Sequence, residues 1–360
     1  MSRTGVPGAA GGPLKVAVLL GGASEEREVS LASGAQVARA LREGGHEVVA
    51  VDTTRGVLAR REEEGLLQAG VGAAPPEAGA RDLTETGDLT FLTRAPELQG
   101  TDVIFPALHG GAGEDGTLQA LLDISGIPYV GSGLLGCALA MEKDVTKRLL
   151  RDAGVPTPEW LTLSGDELRE GGLDPVVAGV GLPMIVKPPS GGSTLGLRLV
   201  REARELADAV EEALRYEERV LFEAYVAGRE TTVGVLGDET LPVGEIIPAH
   251  EIFDYACKYQ PGMAEEIFPA DLESGVEQRL RELALKVHHV LRLRDFSRVD
   301  FMVDDVGGAW CLEANALPGL TANSLLPRAA RAAGVEFPEL CLRLVRRAAL
   351  RGTSPRSDAG

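Results

Sequence analysis

An α/β fold is predicted, with a parallel sheet in the amino-terminal third and a strand-rich remainder. Three observations carry this. Strand patterns at 15–20, 47–52 and 102–108 alternate with helical patterns at 29–43 and 117–125, the rhythm of a parallel sheet with crossover helices. The run Val155-Pro156-Thr157-Pro158 follows a helical stretch ending near Ala153 and marks a candidate boundary. Beyond it short strands dominate, ending in Arg298-Val299-Asp300-Phe301-Met302, a Gly-containing turn and Cys311-Leu312-Glu313-Ala314-Asn315, whose polar/apolar alternation marks two half-buried strands.

Past the boundary, strands are expected at 160–163, 183–187, 197–200, 220–226 and 231–236, with a helix near 202–215. The polar connection 248–269 is too long for a simple turn and is a candidate lid. A helix at 273–291, the hairpin, and helices at 325–333 and 338–350 complete the expected order. Residues 55–100, rich in Gly, Ala, Pro and Glu, pattern weakly and read as variable connections with at most one helix. Residues 1–14 and 351–360 read as tails, the first disordered.

At 360 residues and 44% hydrophobic, the chain can bury a sizeable core in two or three domains. A formal net charge of -18 argues against nucleic-acid or anionic-membrane binding, so an anionic ligand needs a local pocket of Lys and Arg. The first residues lack the apolar core of a signal peptide, and 16–20 is too short to cross a bilayer. Cys137, Cys257, Cys311 and Cys341 are widely spaced, which indicates neither a disulfide framework nor a zinc site; the expected location is the reducing cytoplasm.

Folded back about Val306-Gly307, the hairpin sets Asp300 opposite Glu313 and Arg298 opposite Asn315 on one face. Facing carboxylates repel, so a compensating charge is expected, and oxygen donors from Asp, Glu and Asn suit magnesium or manganese. A solvent-facing hairpin with scattered charges is the rival reading.

Lys187 ends an apolar strand and precedes the glycine-rich loop 188–196, whose backbone N–H groups and lysine suit phosphate, although an ordinary hairpin connection fits too and the spacing is not Walker A. Lys143 and Lys147 lie in a helical stretch beginning near Met141, and Glu223 and Glu230 bracket a strand end; singly, each reads as a surface charge. The first strand opens into the acidic segment 21–30, better suited to a ligand ammonium than a pyrophosphate, with helix capping by Ser24 and Glu26 to Glu28 as the rival. His109 follows a buried-looking strand, where a structural role is the rival to a site. Lys258-Tyr259 falls in the candidate lid, and Pro318-Gly319 with Ser324-Leu325 is either an oxyanion and carboxylate site or a turn with a helix cap.

In order, the segment 21–30, Leu108-His109-Gly110, Gly113-Glu114-Asp115-Gly116, Met141-Glu142-Lys143, the 191–196 loop, Lys258-Tyr259 and the segment 313–319 resemble the D-alanine–D-alanine ligases of the ATP-grasp superfamily. The resemblance covers residues 15–350. It implies an amino-terminal substrate domain over 15–142 and an ATP-grasp domain over 143–350, divided into a nucleotide-binding part (157–228) and a metal and catalytic part (229–350). It implies ATP-driven ligation of two D-alanine molecules through an acyl phosphate, for peptidoglycan synthesis. By resemblance, Lys143 and Lys187 hold ATP phosphates, Glu223, Val226 and Glu230 surround adenine and ribose, and Lys258 also contacts the nucleotide. Asp300, Glu313 and Asn315 bind two Mg2+ or Mn2+ ions. Glu26 engages the first substrate's ammonium with His109 nearby; Arg298 and the Gly319 N–H stabilise the oxyanion. Ser193, Tyr259 and Glu26 link lid to acceptor site, and Lys258, Ser324 and Leu325 receive the second substrate's carboxylate. A homodimer is also implied.

Two positions depart from the family pattern: Ala256 replaces an acidic lid residue, and Ala316 stands where Thr is common, which puts lid closure and rate in question. Tyr259 favours an amine acceptor. The alternatives are a related ligase using D-lactate or D-serine as acceptor, and a catalytically silent nucleotide-binding regulator.

Overall fold

The computed structural model describes residues 12–67, 96–192, 194–253, 257–258, 260 and 262–353. The first sheet holds β1 (Lys15–Leu20), β2 (Glu47–Asp52), β3 (Gly56–Val57) and β4 (Val103–Pro106) in the order β3-β2-β1-β4. β1 pairs parallel with both β2 and β4, and it reads as an unbroken apolar run because both of its faces are covered. One cover is the helix Arg27–Glu43, which buries Val29, Ser33, Val37 and Leu41 at helical spacing. Gly34 makes the close approach: a Cβ there would stand 2.3 Å from the Leu20 Cβ.

The second sheet is antiparallel, with β5 (Trp160–Ser164), β6 (Met184–Lys187), β7 (Arg198–Val200) and β8 (Arg219–Ala224) in the order β5-β8-β6-β7. It closes over its own core of Val176, Met184, Val186, Leu206, Val220 and Phe222. The third contains β9 (Arg229–Leu236), β10 (Glu239–Thr240), β11 (Gly244–Pro248), β12 (Ala264–Ile267), β13 (Phe296–Val303) and β14 (Ala309–Asn315), ordered β12-β11-β9-β13-β14 with β10 beside β9. Val16, Val37 and Phe105 of the first unit share one core with Phe296, Leu317, Leu326 and Leu340 of the third. The outer sheets are therefore welded together, while the middle one borders a cleft.

Several elements depart from expectation. The helical stretch beginning near Met141 is the helix Lys143–Asp152; a further helix, Leu134–Met141, precedes it unforeseen, and the two are broken at Glu142, where ψ is 94°. Short helices Gly165–Gly171 and Asp174–Val180 occupy a region expected to be strand-dominated, and β11 and β12 frame the candidate lid. Within 55–100, the described parts are β3, the helix Arg60–Leu66 and a turn at Pro96–Leu98; residues 68–95 lie outside the described set. The first expected tail overreaches, because Leu14 is buried and its N–H donates to His46 Nδ1 at 3.0 Å. Residues 1–11 and 354–360 lie outside the described set, and the last helix, Phe337–Thr353, enters the second expected tail.

Candidate active site

The hairpin of β13 and β14 has the expected register where it matters: Arg298 faces Asn315 and Asp300 faces Glu313. It is not a simple hairpin, since the register shifts after Asp300, and Phe301 pairs with Cys311. The extra residue is Leu312. Before it, Ala309 and Cys311 are buried; after it, Ala314 is. Because side chains alternate faces along a strand, only this bulge lets Leu312 and Glu313 line the same cleft.

Asp300 is buried and fully engaged. Its Oδ1 accepts from Arg298 Nε at 2.9 Å and Thr232 Oγ1 at 2.7 Å; its Oδ2 accepts from Arg298 at 2.8 Å and Asn315 Nδ2 at 3.0 Å. Glu313 Oε2 lies 3.5 Å from Lys143 Nζ. Burial pushes the Glu313 carboxyl up, but Lys143, Lys258, Lys187 and Arg298 outweigh it and hold the group at about 2. Among the described residues no three His, Cys, Asp or Glu side chains cluster as a ready metal cage. The hairpin offers two carboxylates and an amide.

Lys187, at the end of β6, and the glycine-rich loop form the opposite wall. The loop is a hairpin connection between β6 and β7, so its two sequence readings are compatible. The segment before Lys143 grips its base: the Lys143 N–H donates to Pro189 O and Lys143 Nζ to Gly191 O, both at 2.8 Å. Thr194 Oγ1 donates to Phe253 O at 3.0 Å, which brings loop and lid together. They enclose a cavity of about 490 Å3, within the range of small-molecule pockets. Lys143, Lys187, Glu223, Val226, Glu230, Lys258, Arg298, Asp300 and Glu313 all line it. Its apolar lining of Ile185, Leu197, Ile247, Met302 and Leu312 was not singled out from sequence, where these look like ordinary strand residues.

Within the cavity Glu223 sits between two ammonium groups, Lys187 Nζ at 3.0 Å and Lys147 Nζ at 2.6 Å. Burial alone would raise its pKa, yet Lys147 and Lys187 prevail and depress it. Glu230 goes the other way: burial, then the charge of Asp300, carry it up to about 7 against the pull of Lys258.

Glu26 ends the loop after β1 and sits at the cap of the helix Arg27–Glu43 without making a side-chain cap bond, so the capping rival fails for it. A Cβ at Gly110 or Gly192 would come 2.7 or 2.9 Å from Glu26 Oε2, which sets this carboxylate between the His109 turn and the flap. The His109 N–H donates to Ser30 Oγ at 2.8 Å, its Nδ1 lies 3.3 Å from Glu114 Oε1 and its Nε2 3.1 Å from Ser33 Oγ. Burial would lower the His109 pKa; Glu114 and Glu26 reverse that and raise it. Sequence reading quoted Glu114 in a motif without giving it this part.

Ser324 occupies the cap position of the helix Leu325–Ala332 but makes no side-chain cap bond; its Oγ accepts from the Thr321 N–H at 3.2 Å. A Cβ on Gly319 would stand 2.9 Å from that oxygen, so the two are immediate neighbours. The Leu325 side chain is buried, which leaves its backbone as the part able to meet a ligand. Ala316 is buried within the core of the third sheet. Ser193, Ala256 and Tyr259 lie outside the described residues. Glu26, His109, Asn315, Gly319, Ser324 and Leu325 stand outside the cavity lining; Asn315 touches it through Asp300.

A small antiparallel sheet with a glycine flap, clasped over a carboxylate-bearing hairpin of a second sheet, defines an ATP-grasp protein, the fold of its solved neighbours. Residues 15–132 match the family model for the D-ala D-ala ligase N-terminus and residues 149–346 that for the C-terminus. The chain belongs to the D-alanine–D-alanine ligase family. It is 40% identical over 338 residues to the D-alanine–D-alanine ligase of Moorella thermoacetica, covering 92% of this chain and 98% of that protein. The enzyme of Aquifex aeolicus is 39% identical over 329 residues, covering 91% and 98%. Among solved structures, the ligase of Coxiella burnetii aligns with a TM-score of 0.76 at 28% identity, covering 94% and 95%. The ligase of Bacillus anthracis complexed with ATP aligns with a TM-score of 0.71 at 29% identity, covering 94% and 98%.

Proposed function

We propose that this chain joins two D-alanine molecules at the expense of ATP, giving D-alanyl-D-alanine, ADP and phosphate for peptidoglycan synthesis. The observation that carries the reading is the cavity itself, where Lys143, Lys187 and a glycine flap confront Arg298, Asp300 and Glu313. Membership of the family supports it.

In this reading Lys143 and Lys187 hold the phosphates, and Lys143 exchanges its bond to Gly191 for a phosphate oxygen. Glu223 and Glu230 accept from adenine and ribose, with Val226 against the base. Asp300, on giving up a bond from Arg298, and Glu313 are hard oxygen donors, and Asn315, its Nδ2 committed to Asp300, offers Oδ1; the set would fit two Mg2+ or Mn2+ ions whose shells phosphate oxygens would complete. Such ions, when bound, would offset charge on the phosphates. A D-alanine carboxylate oxygen takes the γ-phosphoryl group as ADP leaves, which turns a poor electrophile into an acyl phosphate. Glu26 draws that substrate's ammonium, with His109 behind it. Lys258, Ser324 and the Leu325 N–H receive the second substrate's carboxylate. Its amine, once deprotonated, attacks the acyl carbon; Arg298 and the Gly319 N–H bear the oxyanion until phosphate departs. Ser193 and Tyr259, with Glu26, join the lid to this acceptor site, and the closed lid keeps water from the acyl phosphate.

The test is D-alanine-dependent ADP release with chromatographic detection of dipeptide, alongside D-lactate and D-serine as acceptors. Dipeptide from D-alanine alone is expected. Product only with D-lactate would replace the substrate, and ATP binding without turnover would support the silent regulator, against which the retained Arg298, Asp300, Glu313 and Asn315 argue. We also place the protein in the cytoplasm as a homodimer, for which sedimentation is the check; among the described residues no helix is long and apolar enough to cross a membrane.

A further inference from the structure

We infer that Lys147 and Thr157 are positioning residues that lock Glu223, at one end of the cavity, to the strand end that presents Glu313 at the other. Neither residue lines the cavity. Lys147 is completely buried, and its ammonium has three protons to place. Glu223 Oε2 stands 2.6 Å away, Thr157 Oγ1 accepts at 2.6 Å and Pro158 O at 3.2 Å. Two of its protons are thus bonded and its charge is paired, and full burial keeps it from a ligand. It is also expensive to bury, and an apolar replacement is often neutral or stabilising where only packing is at stake. What the lysine secures is the placement of a carboxylate that does face the cavity.

Thr157 carries the connection onward. Its hydroxyl accepts from Lys147 and spends its own proton on Cys311 O at 2.8 Å, while the Cys311 N–H donates to Pro156 O at 2.8 Å. Cys311 is the last residue before the Leu312 bulge, the irregularity that turns Glu313 toward the cavity. The path Glu223–Lys147–Thr157–Cys311 thus runs through four groups from three parts of the chain: the second sheet, the helix Lys143–Asp152 with the segment after it, and the third sheet. Lys187 holds the other Glu223 oxygen from the flap side. The spacing between the two cavity ends is therefore set behind the wall, by residues a ligand never touches.

This inference rests on the nucleotide reading above and adds to it the residues that set the site's dimensions. Full-length Thr157→Val and Thr157→Ser are compared with the unaltered protein by calorimetric titration with ATP and magnesium and by steady-state kinetics. Valine keeps the volume but leaves a buried ammonium and a carbonyl each one partner short, so ATP should bind roughly 5- to 100-fold more weakly. The KM for ATP should rise in step, with kcat and the KM for D-alanine little changed, and serine should restore binding. Valine equal to the unaltered protein, or serine as impaired as valine, overturns the inference. An unaltered protein that fails to bind ATP sinks the nucleotide reading and this one with it. Should the valine variant not fold, hydrogen exchange on the unaltered protein decides: saturating adenosine, which lacks phosphates, should slow exchange of the Cys311 amide. An unchanged rate overturns the inference.

Discussion

Glu230 provides the sharpest test of the cavity's electrostatics. Its carboxyl is carried up to about 7 from an ordinary 4.5 by burial, then by Asp300 and Glu313, against Lys258 and Arg298. Below pH 4.5 it is protonated whether the chain is folded or not and costs nothing. Between 4.5 and about 7 the unfolded chain releases the proton while the folded one keeps it, so stability falls as pH rises; above 7 the whole penalty is in force. At about 1.4 kcal/mol per pH unit, the ceiling is roughly 3 kcal/mol. Glu230→Gln keeps the shape without the charge. Without nucleotide it should therefore be more stable than the parent at pH 8, by ~1–3 kcal/mol, with the gain fading toward pH 4.5. Urea unfolding at pH 5, 6.5 and 8 measures this, and the KM for ATP should rise because an acceptor for ribose is weakened. A gain independent of pH, or a variant less stable at pH 8, would refute the reasoning.

Asp300→Asn and Glu313→Gln should each lower magnesium-dependent turnover by about 100-fold or more, since several kcal/mol of charge stabilisation is withdrawn; unchanged rates in both would contradict the metal assignment. Glu313, held at about 2, contributes stability that is present above pH 4.5 and lost as pH falls toward 2, so Glu313→Gln should flatten the acid limb of a stability profile. Ser324→Ala should raise the KM for the second D-alanine and spare the first, which initial-rate analysis separates; a selective defect for the first would argue against its assigned pocket. Gly192→Ala would drive a methyl to within 2.9 Å of Glu26 Oε2 and should raise the KM for the first D-alanine without lowering the melting temperature. A normal KM would part flap from substrate.

Sequence made the hairpin legible because a two-residue side-chain period fixes which residues share a face; counting back from Val306-Gly307 sets Asp300 opposite Glu313, although the strands turn about Val306 and the bulge makes up the one-residue difference. Counting could not find the bulge at Leu312, because an inserted residue leaves no compositional trace. The helix Leu134–Met141 escaped notice for a related reason: it is apolar at every position but one, so it shows no period. Lys147 reads as a solvated charge until the fold surrounds it and buries it completely. His109 was visible as a strand-end residue, but its partner Glu114 arrives through a turn whose left-handed Gly110, at φ 71°, no period describes. β12 escaped notice since Ala264-Glu265-Glu266-Ile267 is not apolar; Arg328 pairs with Glu266 there and supplies what the pattern lacks.

The bulge also governs which changes β14 can tolerate. Deleting Leu312 would restore an even zigzag from Ala309 to Asn315 in which Glu313 follows Cys311 directly and keeps to the cleft side, with Ala314 inward as before. Replacing Leu312 with another apolar residue would leave the bulge in place and reshape only the cavity wall beside Glu313. What would turn Glu313 away is an even pleat with Leu312 still in place, since strict alternation cannot set two neighbouring residues on the same side of a strand.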